Sequence, residues 1–114
     1  MAVRCIRVIL RPGTVDRVRT LFTDLGRRRA ELLDACERMG IRRERVFLDA
    51  ANPGGPCLLM VQESDDFAET SRRFLSSTHP IDVDARAILA EVAATSEVIE
   101  LLGALDSDPS PAGP

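Results

Sequence analysis

An α+β fold is predicted, with a four-stranded antiparallel sheet carrying its helices on one face. Two observations predict it. The apolar patterning runs strand, helix, strand, strand, helix, strand along the chain. The two middle strands are separated only by a short turn-rich segment, which makes them a hairpin rather than a parallel crossover. With 114 residues the chain has the size of one domain with a core of its own.

Val3 to Arg11 reads as the first strand, with Ile6, Val8 and Leu10 on one side, closed by the turn Arg11-Pro12-Gly13. Thr14 offers a helix N-cap and Asp16 a favourable first-turn acid. Val18, Leu21, Phe22, Leu25, Leu32, Leu33, Cys36 and Met39 then recur at threes and fours, the mark of one long amphipathic helix ending near Gly40. Arg45–Asp49 and Cys57–Gln62 are the hairpin strands, joined by Ala50–Pro56. Ser64-Asp65-Asp66 caps the next helix, which turns Phe67, Ser71 and Phe74 inward. Beyond the His79-Pro80 corner, a further helix from about Val83, with Asp82 as its cap, carries Ile88, Leu89 and Val92, and Val98–Leu102 is the last strand. Residues 1–105 make one domain. Residues 106–114 are rich in proline and acid with nothing to bury, and are expected to be a disordered tail.

The order βαββαβ is the ferredoxin-like unit. Strand alternation puts Ile6, Val8, Leu10, Val46, Leu48, Cys57, Leu59, Val61, Ile99 and Leu101 under the helices, and leaves Cys5, Arg7, Ile9, Phe47, Asp49, Leu58, Met60, Gln62, Val98, Glu100 and Leu102 on the opposite face. That second face is too apolar for an exposed surface, so two sheets are expected to pack face to face as a homodimeric α+β barrel. Such a barrel can hold a small apolar organic molecule, with Arg7, Asp49, Gln62 and Glu100 as candidate polar lining and Phe47 and Met60 as apolar contacts. Charges paired across an interface are the alternative explanation for the polar set.

Composition excludes several function classes. The net charge of −3 argues against nucleic acid. All fifteen basic residues are arginine, so lysine-based covalent chemistry is excluded. Arg27, Arg28 and Arg29 alternate with acids as a solvated helix face should, pairing with Asp24, Glu31 and Asp34, although Arg28 or Arg29 could also reach a ligand carboxylate. Cys5, Cys36 and Cys57 are odd in number and lie in apolar runs, which points to reduced thiols in the cytoplasm rather than to disulfides. One histidine with no cysteine at ligand spacing supplies no transition-metal site, and no apolar stretch is long enough to span a bilayer. No metal, cofactor, nucleic acid or membrane partner is expected.

The Arg11-Pro12-Gly13 opening, Arg28-Arg29 with Glu31, and Ser77-Thr78-His79-Pro80-Ile81-Asp82 resemble a family of short bacterial dimeric α+β-barrel proteins known mainly as a domain of unknown function. More distantly, His79-Pro80 is similar to the His-Pro corner of stress-responsive α/β-barrel proteins, a group that includes olivetolic acid cyclase. That resemblance implies a cofactor-free cyclase or isomerase of specialised, polyketide-like metabolism, with His79 as the base that takes a proton next to a carbonyl. The chain has no tyrosine and no second histidine, so any partner of His79 must be local: Asp82, three residues on, is the chosen candidate, with Asp84, Glu31 or a cavity carboxylate equally open. Arg7 or Gln62 would then steady the enolate. Two alternatives stand beside this reading: a non-catalytic dimeric binding or interaction domain in which the His-Pro corner only caps helices, and a cofactor-free monooxygenase.

Overall fold

The computed structural model describes residues 2–105. The tail from position 106 therefore lies outside the described residues. Strand β1 (Ala2–Leu10) is followed by helices α1 (Val15–Gly26) and α2 (Arg29–Met39), strands β2 (Ile41–Asp49) and β3 (Cys57–Ser64), helices α3 (Phe67–Ser76) and α4 (Pro80–Val92), and strand β4 (Ala93–Ile99). The strands form one antiparallel sheet in the order β2-β3-β1-β4, the ferredoxin-like topology.

Several local features differ from the sequence expectation, β2 among them, which begins at Ile41 rather than Arg45. The long helix is two helices, broken at Arg27 and Arg28, where no large apolar side chain fills the turn between Leu25 and Leu32. Thr14 precedes α1, but its hydroxyl turns back to donate to the Arg11 carbonyl and caps nothing. The last helix starts at Pro80 rather than Val83, because proline needs no N–H partner in the first turn, and its cap residue is His79. The last strand accordingly begins at Ala93 and ends at Ile99, short of Glu100. Elsewhere the local chemistry is as read. Asp66 accepts from the Glu69 N–H to cap α3, and Gly40 closes α2 at φ 73°, a backbone state that costs glycine little.

Directly paired residues on antiparallel strands point to the same side, so the register fixes which side chains face the helices. Ile6 pairs with Met60 and Met60 with Val46, while Val8 pairs with Leu58 and Leu58 with Leu48. The helix side of β3 is therefore Leu58, Met60 and Gln62, which corrects the expected assignment of Cys57, Leu59 and Val61; on β4, Val98 pairs with Ile6 and Ile99 with Cys5, which likewise reverses the expected sides of those two residues. All of Cys57–Val61 is apolar, so alternation alone could not choose between the two faces. The open face carries the row Arg7, Leu59, Phe47 across β1, β3 and β2, with Cys5, Ile9 and Val61 beside it.

The core falls into two parts. Val8, Leu10, Val18, Leu58 and Val92 pack where α1 and the end of α4 cross the sheet, and Ala35, Met39 and Ile81 pack among α2, α3 and α4 with Leu32 and Phe74. Thr70 of α3 ties these layers together, its buried hydroxyl lying 2.8 Å from the Met39 carbonyl and 2.9 Å from Ser64 Oγ of β3.

Candidate functional site

Between the two packed regions and the sheet lies a cavity of about 430 Å³, lined by members of both, including Val8, Phe22 and Met60 from one and Ala35, Met39 and Ile81 from the other. Its wall is mostly apolar. The exposed side chains of Glu44 and Leu75 mark where it meets solvent.

One polar row crosses the sheet inside this cavity. Arg4 on β1 pairs with Gln62 on β3, and Gln62 pairs with Glu44 on β2, so the three side chains stand abreast on the helix side. Arg4 Nε donates to Gln62 Oε1 at 2.8 Å, and Gln62 Nε2 donates to Glu44 Oε2. Arg4 also donates through Nη1 to Ser71 Oγ of α3 at 3.3 Å, and its guanidinium lies 4.4 Å from the centre of the Phe67 ring. Gln62 is buried at 6% exposure and has its amide satisfied from both ends. Arg4, half-buried, forms no ion pair among the described residues. Burial depresses its pKa, and the charge of Glu44 restores part of the loss.

A second polar group meets the cavity from the helix layer. Asp82, 1% exposed, accepts from Arg38 Nη1 at 2.7 Å and from Ser77 Oγ, both at Oδ2. Arg38 Nε is held in turn by Asp34 at 2.8 Å. Burial opposes ionisation of Asp82, but the two donors and the nearby positive charge outweigh it and hold the carboxyl below its ordinary range. Cys36 also lines the cavity, and burial pushes its thiol pKa up, as do the neighbouring charges of Glu44 and Asp82. That leaves it a poor nucleophile.

The sequence-predicted site residues are distributed over both faces. Gln62, Met60 and Asp82 line the cavity. His79 does not; its side chain is exposed, and the residue serves through its backbone, the carbonyl accepting from the Asp82 and Val83 N–H groups and the N–H donating to Ser77 Oγ. Asp82 is therefore bonded to Arg38 and Ser77 rather than to the imidazole, and caps no helix. Arg7 and Phe47 lie on the open face, Arg7 paired with Glu97 at 2.7 Å and Phe47 53% exposed. Asp49 sits at the hairpin corner, accepting from the Ala51 N–H, and Glu100 is exposed just past β4. Arg28 is taken by Glu31 at 2.8 Å and Asp84 at 2.6 Å, and Arg27 by Asp24. Arg4 and Glu44 were not expected. Both continue a pattern already visible, Arg4 that of Ile6, Val8 and Leu10, and Glu44 that of Val46 and Leu48, so extending each alternation by one step places them under the helices.

Among the described residues, no three His, Cys, Asp or Glu side chains come together as a metal-holding group, and no helix is long and apolar enough to cross a membrane. Residues 1–109 match the sequence profile of a family of unknown function, DUF6176. The chain belongs to the DUF6176 family. No curated protein matches this DUF6176 chain. Among solved structures, an antibiotic biosynthesis monooxygenase is similar over 92% of this chain and 100% of its own, with 19% identity and a TM-score of 0.54. A dimeric protein of unknown function and ferredoxin-like fold from Bacteroides fragilis NCTC 9343 is similar over 85% and 91%, with 18% identity and a TM-score of 0.50. At such identities the likeness is one of fold, and it agrees with the topology of this DUF6176 protein.

Proposed function

We propose that this protein binds a small, largely apolar organic molecule between its sheet and helices, as a homodimer whose subunits cover each other's open sheet face. The observation that carries the reading is the cavity of about 430 Å³, mostly apolar, with the Arg4–Gln62–Glu44 row and Asp82 as its charged and amide groups and a few hydroxyls, Ser71 among them. Its size lies within the range of roughly 300–1,000 Å³ usual for small-molecule sites, and a few fixed polar groups in an apolar wall are the arrangement that orients a ligand. The dimer is supported by the partly buried Ile9, Leu59 and Val61 around the exposed Phe47 on a sheet face that carries no helix. The dimeric Bacteroides protein of the same fold is consistent with it.

A titration with N-phenyl-1-naphthylamine, a neutral dye that fluoresces in apolar sites, tests the reading. The wild-type protein should bind one dye per chain, and Ala85→Phe, which fills the cavity from α4, should weaken binding at least tenfold while keeping the fold. Equal binding by the two proteins would overturn it.

A second reading is favoured by Glu44, a carboxylate that reaches the cavity with Arg4 two strands away. It is cofactor-free acid–base catalysis of the cyclase or isomerase type. Glu44 would take a proton from carbon next to a carbonyl, the electron pair would move onto the carbonyl oxygen beside Arg4, and the same proton would be returned at another carbon. His79 is exposed and does not line this space, so His79→Ala should leave turnover unchanged on any substrate found, and Glu44→Gln should lower it by about a hundredfold or more.

A further inference from the structure

We propose that the cavity selects ligands with an acidic head, a carboxylate or an enolate, seated against Arg4 while the apolar body lies among the helices. This rests on the cavity being the binding site, and adds the chemical class of what it takes.

The charges that reach the cavity are unequal in their surroundings. Asp82 is neutralised by Arg38, whose guanidinium bridges it to Asp34. Glu44 stands at the exposed rim, where water screens it. Arg4 is half-buried, with one face toward Phe67 and with Nε and Nη1 spent on the neutral partners Gln62 and Ser71. Its Nη2 has no protein partner among the described residues, and no carboxylate lies within ion-pair distance. A guanidinium that is partly desolvated and lacks an anion gains most from a ligand that supplies one, because charge-assisted hydrogen bonds strengthen as water is withdrawn. Gln62 holds the guanidinium in place, and Ser71 pins it to α3, so little ordering is left for the ligand to impose. Glu44 repels the same head group from the rim, and so sets how strongly the anion is preferred.

Displacement of N-phenyl-1-naphthylamine by three probes of nearly one shape tests this: 1-naphthaleneacetic acid, its neutral amide and the cation 1-naphthylmethylamine, at pH 7. For the wild type the acid should compete at least tenfold more strongly than the amide, and the amine least. Arg4→Gln should weaken the acid at least tenfold more than it weakens the amide or the dye and so abolish the preference, Arg4→Lys should keep part of it, and Glu44→Gln should raise acid affinity about threefold or more. Equal competition by acid and amide, or a preference for the amine, would overturn the acidic-head assignment and leave the cavity standing as a binding site. Loss of all probes together in Arg4→Gln, with no gain in Glu44→Gln, would assign Arg4 a structural role instead. Should Arg4→Gln fail to fold, Glu44→Gln decides, since its side chain is exposed. Dye binding that ignores Ala85→Phe would remove the cavity reading and this assignment with it.

Discussion

Asp82 shows how one buried side chain ties stability to pH. Its carboxylate is 1% exposed and is kept ionised by Arg38 and Ser77, so its folded-state pKa lies below the unfolded one. A carboxyl depressed in this way adds stability that is complete above the ordinary carboxylate range and disappears as pH falls through the lowered folded value. Asp82→Asn should therefore destabilise the protein by about 2 kcal/mol at neutral pH, less than a fully buried pair would lose, because Arg38 is partly solvated and keeps Asp34. Urea unfolding of both proteins from pH 7 to pH 3 should show the two stabilities converging on the acid side. At this scale the sequence singled out the Ser77–Asp82 segment and expected the imidazole to carry its chemistry, whereas the group of that segment that reaches the cavity is Asp82. A histidine and an aspartate three residues apart look like a dyad; a helix that begins between them at Pro80 instead turns Asp82 inward and leaves His79 outside. That turn depends on where the helix starts, and residue spacing alone does not fix it.

Pairing between elements decides what residue patterns leave open. The strand–helix order and the hairpin were legible because turn formers interrupt the apolar runs at Arg11-Pro12-Gly13 and Ala50–Pro56. The face of β3 was not, since five apolar residues in a row satisfy either alternation, and only pairing with β1 and β2 sets which of them lie under the helices. The break between α1 and α2 also escaped, although the gap from Leu25 to Leu32 contains Gly26 and three arginines with nothing to bury. Beside the apolar contacts of Phe74, one hydroxyl links α3 to both α2 and β3, that of Thr70, which is 2% exposed. Thr70→Val keeps the shape but strips a partner from Ser64 and from the Met39 carbonyl, and should cost about 1–2 kcal/mol. Thermal denaturation of the variant checks this, with a fall in Tm of several degrees expected for a domain of this size.

For the whole molecule, the sheet separates two surfaces of different character. The helix side encloses the cavity, and the open side carries Phe47, Leu59, Val61 and Ile9 around the Arg7–Glu97 ion pair. Placing a charge in the middle of that row, as in Phe47→Arg, should turn a dimer into a monomer in sedimentation velocity, with naphthylamine binding retained because the cavity lies on the other face. A need for apolar cover was visible in the sequence from the excess of apolar strand residues. The cavity was not, because it exists only where the two halves of the helix layer fail to meet above Met60 and Ile6. The most direct measurement is a crystal structure of the protein grown with N-phenyl-1-naphthylamine. The account predicts the dye between sheet and helices, its rings against Met60 and Ile88 and its amine toward the Arg4–Gln62–Glu44 row. A dye found on the open sheet face, with the cavity unchanged, would contradict it.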